Sequence, residues 1–581
     1  MKSVIVFLLF TLVIILSPSI VASAEPFHMT LLAAQELNST LIGSTADLYL
    51  EVQPGRGRVF LETFPLTKVD TQISTRFAKE IACHYFDLSC SSLDFIYTIQ
   101  SDSVIIGGPS AGAALAALTT AAVTGDNVNQ SVAVTGTINS GGLIGPVGGI
   151  KAKIDAAAHA KLKKVLIPIG MRVYNQSQQN EGTGTIDLIE YGDLLDVQVV
   201  EVSNLNEVLF HFTNQKIIDS TPEFEPLPQY VELMKDVSEQ LCTRSSDLVK
   251  ELNKFHLNQS ERDEITNRTS LASSAAKSNS YYSAASYCFA LNIYVRNELY
   301  EKQKLSLQKI KAKSSQLEND MLRFEREIRE RELTTITDLQ AFAVVLERLH
   351  DAQQALEDAT TGNIFRLAFA EERFFSARAW STFFALDGRE YVLSDAILQR
   401  SCIEKLQEAK ERDQYVQLFS AGIDHINGQI ERADEQRKQG DYVLCLIIAS
   451  QAKADANAIL STIGIERSEL PRLIAAKLEA IETLIARTIE NQAFPLLGFS
   501  YYEYALSLKD HDESSALLYS EYSLEMSNLD IYFEEARTDA RQKINFDYMP
   551  FVFGFFLGLA VASFVVFLRR KKKRNRKATK P

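Results

Sequence analysis

The spacing of apolar and polar residues changes character twice along the chain. Through residues 25–210 the period itself keeps switching. ADLYLEVQ (46–53), GRVFLETF (57–64) and DFIYTIQ (94–100) alternate and predict strands, whereas ISTRFAKEIACHYFD (73–87) repeats at helical spacing. A run of small residues over 110–124 predicts a helix. SVAVTGTI (131–138) follows as a strand, then a helix over 150–161, the strand KVLIPI (164–169), DVQVVEV (196–202) and a short helix over 204–212. Strands and helices mixed in this order predict an α+β domain over 25–217.

Three prolines in IDSTPEFEPLPQY mark 218–230 as a linker. From 231 to 545 the pattern is helical nearly throughout, with Pro471 and Pro495 as its prolines. Several segments share one texture, aromatic residues followed by alanines at helical spacing: YYSAASYCFAL (281–291), FFSARAWSTFFAL (374–386) and YYEYALSLKD (501–510). These predict helical hairpins packed through aromatic stripes. The charge-rich stretch 303–345 reads either as an extended coiled-coil arm or as a long surface helix of the bundle.

Both ends depart from this. Residues 1–24 have a basic start, an apolar core and a small-residue ending at Ala22, Ser23 and Ala24, the form of a secretory signal peptide. Residues 549–568 are 20 uncharged, apolar residues, enough for a transmembrane helix across about 30 Å of hydrocarbon. Residues 569–581 carry nine Lys or Arg, which places this basic tail in the cytoplasm and the preceding domains outside. Setting aside those nine and Lys2 leaves 50 of the 60 basic residues against 74 acidic ones, a net of −24. An exterior this acidic argues against nucleic acid as a partner. The six cysteines read as too scattered for a disulfide-stapled scaffold; Cys83 and Cys90 are the pair expected in an oxidising exterior. Asn38, Asn129, Asn175, Asn258 and Asn267 begin N-x-Ser/Thr triplets open to glycosylation there.

Two segments carry chemistry. In GGPSAG (107–112), Gly108 permits a tight turn and Pro109 starts a helix, so Ser110 sits where unpaired backbone N–H groups can stabilise an oxyanion. Serine is also a common helix cap, so this segment alone does not decide. In TGTINSGGLIGPVGGIKAK (135–153), Lys151 follows a glycine pair at a helix start, a position that disfavours its charge. Burial there would lower its proton affinity and fit it to deprotonate a serine. Lys153 is a rival two residues on, but on this spacing it faces a different side of the helix. No histidine- or carboxylate-rich metal spacing accompanies these segments, and no metal or cofactor is expected.

GGPSAG, then TG-x-x-x-x-G-x-x-x-x-x-GGIKAK, an alanine-rich helix and KKVLIP together resemble the proteolytic domain of Lon-type (S16) proteases over residues 40–210. The resemblance implies a Ser–Lys dyad of Ser110 and Lys151, with the Thr135 hydroxyl placing the lysine amine and Gly108 and Pro109 shaping the serine turn. It implies polypeptide substrates and a hexameric assembly. Gly107 departs from the acidic residue that many Lon enzymes have before GPSAG. The chain has no G-x-x-x-x-G-K-[ST], so the expected enzyme is an ATP-independent endopeptidase. The competing expectations are a weakly active scaffold that binds partners at the cell envelope, and a domain that processes its own chain.

Overall fold

The computed structural model describes residues 26–37, 40–67, 69–106, 108–175, 184–217, 225–419, 424–463, 465–536 and 562–569. The chain divides into two compact units, 1–534 and 535–581. The signal peptide expected at 1–24 and the basic tail after 569 lie outside the described residues. Of the expected span at 549–568, residues 562–568 are described; they are helical and exposed.

The first unit begins with β1 (Phe27–Leu37), β2 (Thr40–Pro54), β3 (Val59–Thr67), α1 (Val69–Tyr85) and β4 (Leu93–Ile106). They build a sheet of order β1-β2-β4-β3, in which β3 and β4 are parallel and α1 is the crossover. The alternation in β2 and β4 turns Leu48, Leu50, Phe95, Tyr97 and Ile99 to the core, all fully buried. Against that face lies α2 (Gly112–Thr124), entered through a short 3-10 turn at Pro109–Ala111. Its Ala113 to Leu118 are buried without a break, as expected of a helix that is apolar all round.

Next come β5 (Val132–Val134), the hairpin β6 (Thr137–Ile138) and β7 (Ile144–Gly145), α3 (Ile150–His159) and β8 (Lys164–Pro168). The small hairpin β9 (Val173–Asn175) and β10 (Thr185–Asp187), α4 (Leu188–Leu194), β11 (Gln198–Val202) and α5 (Leu205–Thr213) complete the α+β part. β11, β8 and β5 form a parallel sheet in that order.

The helical region begins at Pro228, inside the expected linker, because proline is well suited to the first helical position. It runs as α6 (Pro228–Leu252), α7 (Gln259–Lys277), α8 (Tyr281–Gln303), α9 (Leu307–Arg329), α10 (Ile336–Ala359) and α11 (Ile364–Trp380). It continues with α12 (Asp395–Phe419), α13 (Asp424–Gln439), α14 (Tyr442–Thr462), α15 (Leu470–Glu490), α16 (Leu496–Leu508) and α17 (Glu513–Ser527). The aromatic stripes meet in its core: Tyr282 contacts Trp380, Tyr501 and Tyr504, and Tyr230 contacts Phe383, Phe494 and Phe499.

Two expectations change, on the arm and on the cysteines. Residues 303–345 are not one arm: Lys304 takes a left-handed conformation between α8 and α9, and a Thr335–Asp338 capping box starts α10 afresh. Among the described residues, the helix long and apolar enough to cross a membrane is α14, which is not C-terminal and is 83% buried in the helical core. The cysteines, read as scattered, all pair: Cys83–Cys90, Cys242–Cys288 and Cys402–Cys445. Pairs 46 and 43 residues apart join helices that only the tertiary fold brings together, so their spacing carried no signal. Peptide mapping without reductant should recover these three pairs. Replacing Cys402 and Cys445 together by serine should cost about 2–4 kcal/mol of stability by chemical denaturation, and an unchanged midpoint would show that this bridge is not formed.

Candidate active site

Ser110 is positioned by the turn that starts α2. Gly108 has φ +99°, Pro109 takes the first helical position, and the next two residues that carry an N–H are Ser110 and Ala111. Amides at such a position have no acceptor within the helix. The Ser110 carbonyl accepts from Gly136 N–H at 3.0 Å, and Ala113 N–H donates to the Gly136 carbonyl at 3.0 Å. This tight approach requires Gly112: a Cβ there would come within 2.8 Å of the Ile138 nitrogen. The serine turn is thereby stitched to the residue following Thr135.

Thr135 is fully buried and its N–H donates to the Leu166 carbonyl of β8 at 3.0 Å. Its Oγ1 accepts a 3.0 Å hydrogen bond from Lys153 Nζ. Lys153 is 3% exposed, and burial alone pushes its amine down from an ordinary lysine value to about 7. The helix that carries it begins at Gly149, whose φ of +67° suits glycine and where a Cβ would come within 2.8 Å of the Ala34 Cβ.

The lysine expected from the sequence to act with Thr135 is Lys151; the structure puts Lys153, not Lys151, on the Thr135 hydroxyl. At about 100° per residue, two positions along an α-helix turn by roughly 200°, so Lys151 and Lys153 lie on opposite faces. Lys151 is a quarter exposed, 3.5 Å from Asp155 Oδ2 and 5.1 Å above the Tyr191 ring, whose hydroxyl donates to Asp155. Lys153 sits three after Ile150 and four before Ala157, on the buried stripe. That periodicity is visible in IKAKIDAA and marks 153 as the inward position. Ser110 is linked by its carbonyl to Gly136, the residue after Thr135; Gly107 lies outside the described residues. Among the described residues no group of three or more His, Cys, Asp or Glu could hold a metal ion.

The structure thus has a serine at a helix start, joined through Gly136 to the residue after Thr135, and a buried amine on the Thr135 hydroxyl. Residues 98–209 match the Lon protease (S16) C-terminal proteolytic domain, and the chain carries a Lon-type proteolytic domain. The Lon protease of Lachnoclostridium phytofermentans is 28% identical over 173 residues, 29% of this chain and 20% of that protein. The archaeal Lon proteases of Archaeoglobus fulgidus and Methanothermobacter thermautotrophicus are each 38% identical over 106 residues, 18% of this chain and 15% of theirs. The chain thus spans a fifth or less of the length of these relatives.

A buried amine leaves a thermodynamic mark. Between about 7 and the ordinary value of 10.5 the unfolded chain binds one more proton at Lys153 than the folded one does. This lysine's contribution therefore makes stability rise with pH across that window, and its penalty is full below it. Lys153→Met should be more stable than wild type at pH 7 by an amount on the order of a few kcal/mol, with the gap closing toward pH 10. A variant less stable than wild type at pH 7, by denaturant titration, would contradict a desolvated amine.

Proposed function

We propose that the protein is an ATP-independent serine endopeptidase acting outside the cytoplasm, with Ser110 as nucleophile and Lys153 as general base. The observation that carries this reading is the Lys153 amine, buried against Thr135 and depressed by burial alone. In the proposed reaction the neutral amine takes the Ser110 hydroxyl proton as Oγ attacks the peptide carbonyl. The amides at Ser110 and Ala111 receive the oxyanion. The ammonium then protonates the leaving amine, and the amine activates a water to release the acyl group. Thr135 keeps the amine in place throughout.

Exterior action is supported by the pairing of all six cysteines, since such bridges persist in oxidising compartments. It also rests on the signal-like start, and the apolar run at 549–568 with its basic tail supports anchoring by one C-terminal helix. The absence of a nucleotide-binding G-x-x-x-x-G-K-[ST] in these 581 residues supports hydrolysis without ATP, on unfolded or flexible polypeptides. The Lon-type domain extends the proposal to a homo-oligomer, a hexamer by the sequence resemblance.

Casein and short-peptide hydrolysis by the purified full chain, without nucleotide, tests the assignment. Ser110→Ala and Lys153→Arg should each lose at least about 10²-fold in kcat, whereas Lys151→Ala should stay within about threefold of wild type. An active Lys153→Arg beside an inactive Lys151→Ala would return the base to Lys151. Because the base acts unprotonated, kcat/KM should rise with pH through a midpoint of about 7. A rising limb near 10, where an exposed lysine titrates, would exclude Lys153 as the base in this form.

A further inference from the structure

The loop between Thr135 and Lys153 is held at both ends by the helical region. Arg412 of α12 is buried, and its Nη2 donates to the Ile138 carbonyl at 3.0 Å and to Asn139 Oδ1 at 2.9 Å. Ser140 Oγ, fully buried, donates to Glu525 Oε1 of α17 at 2.9 Å. At the far end, the Gly148 N–H donates to the Tyr415 hydroxyl of α12 at 3.0 Å, one residue before the glycine that starts the lysine helix. These contacts connect residues more than 260 positions apart in sequence.

The supports are themselves fixed. Glu525 belongs to a closed, buried set of two lysines and two glutamates: Lys405 and Lys453 each contact both Glu408 and Glu525, at 2.9 to 3.2 Å. Removing one member of such a set leaves an uncompensated buried charge, so its geometry is strongly held. The set spans α12, α14 and α17, and Cys402–Cys445 ties α12 to α14. A loop rich in glycine has little stiffness of its own; anchored to this frame, it acquires the stiffness of the helices.

We propose that the helical region is a built-in clamp on the loop joining Thr135 to Lys153, with Arg412, Tyr415 and Glu525 as positioning residues for the catalytic amine. The proposal rests on the reading of Lys153 as the base. None of the three touches the reacting atoms in this account. They act by keeping α3 seated so that Nζ stays on Thr135 and water stays out. A helical region of this kind makes the proteolytic site dependent on residues nearly 300 positions downstream.

Tyr415→Phe in the full chain removes one hydroxyl and is the cleanest test. It should lower kcat about tenfold while KM for a short peptide moves less than about twofold. It should also shift the rising limb of the pH–rate profile upward, because water admitted around the amine restores part of its proton affinity. Arg412→Gln should do the same more strongly, and Arg412→Lys, which keeps one donor, should recover part of the loss. A folded Tyr415→Phe with wild-type kcat and pH profile would overturn the clamp, whatever becomes of the arginine variants. Carbamylation of Lys153 by cyanate as a function of pH, read by peptide mass mapping, keeps this separate from the peptidase reading. If wild type cleaves nothing, a titration of Lys153 displaced upward in Tyr415→Phe still supports the clamp and sinks the peptidase, and coincident curves sink the clamp.

Discussion

The site depends on keeping one lysine amine out of water. Charged ammonium groups are costly to bury, and a lysine held in an apolar, hydrogen-bonded niche gives up its proton near neutrality. Lys153 is in that state, with the Thr135 hydroxyl as its acceptor and burial as the cause. A histidine is unnecessary when the base is a neutral amine, and none is placed at this seam among the hydrogen bonds described. Such desolvation works against folding, so the surroundings must hold α3 against the sheet by other contacts.

Those contacts are mostly backbone approaches that tolerate no side chain. Gly112 lets the serine turn lie on Ile138, and Gly149 lets the lysine helix start against Ala34. The Gly136 peptide is hydrogen-bonded on both sides to the serine turn, and Thr135 is locked to β8. The serine turn and Thr135, the amine's partner, are thus joined through the Gly136 peptide. From outside, α12 and α17 hold the loop that leaves and re-enters it.

Much of this was legible in the sequence. Helical spacing and alternation predicted α1, α2, α3 and β8 close to their observed ranges and about half the length of β2 and β4, because each buries one face or, in α2, every face. β1 was missed; FHMTLLAAQEL mixes small and polar residues and becomes a strand by pairing along β2. The serine turn and Thr135 were readable because glycine, proline and small residues there answer local backbone demands. The sequence reading favoured Lys151 for its closeness to the glycine pair, whereas helical phase decides which side chain is buried, and that is Lys153. Two of the disulfides and the contacts of the helical region with the 138–148 loop could not be read, since Cys242, Cys402, Arg412 and Glu525 find partners only through the packing of helices distant in sequence.

The most direct test is to watch the amine itself. In protein labelled with 13C at the lysine ε-carbon, the Lys153 resonance can be assigned by its loss in Lys153→Met and followed with pH. The account predicts a midpoint near 7 for this one lysine. A midpoint at the ordinary value, about 10.4, would contradict a desolvated amine and with it the proposed catalytic base.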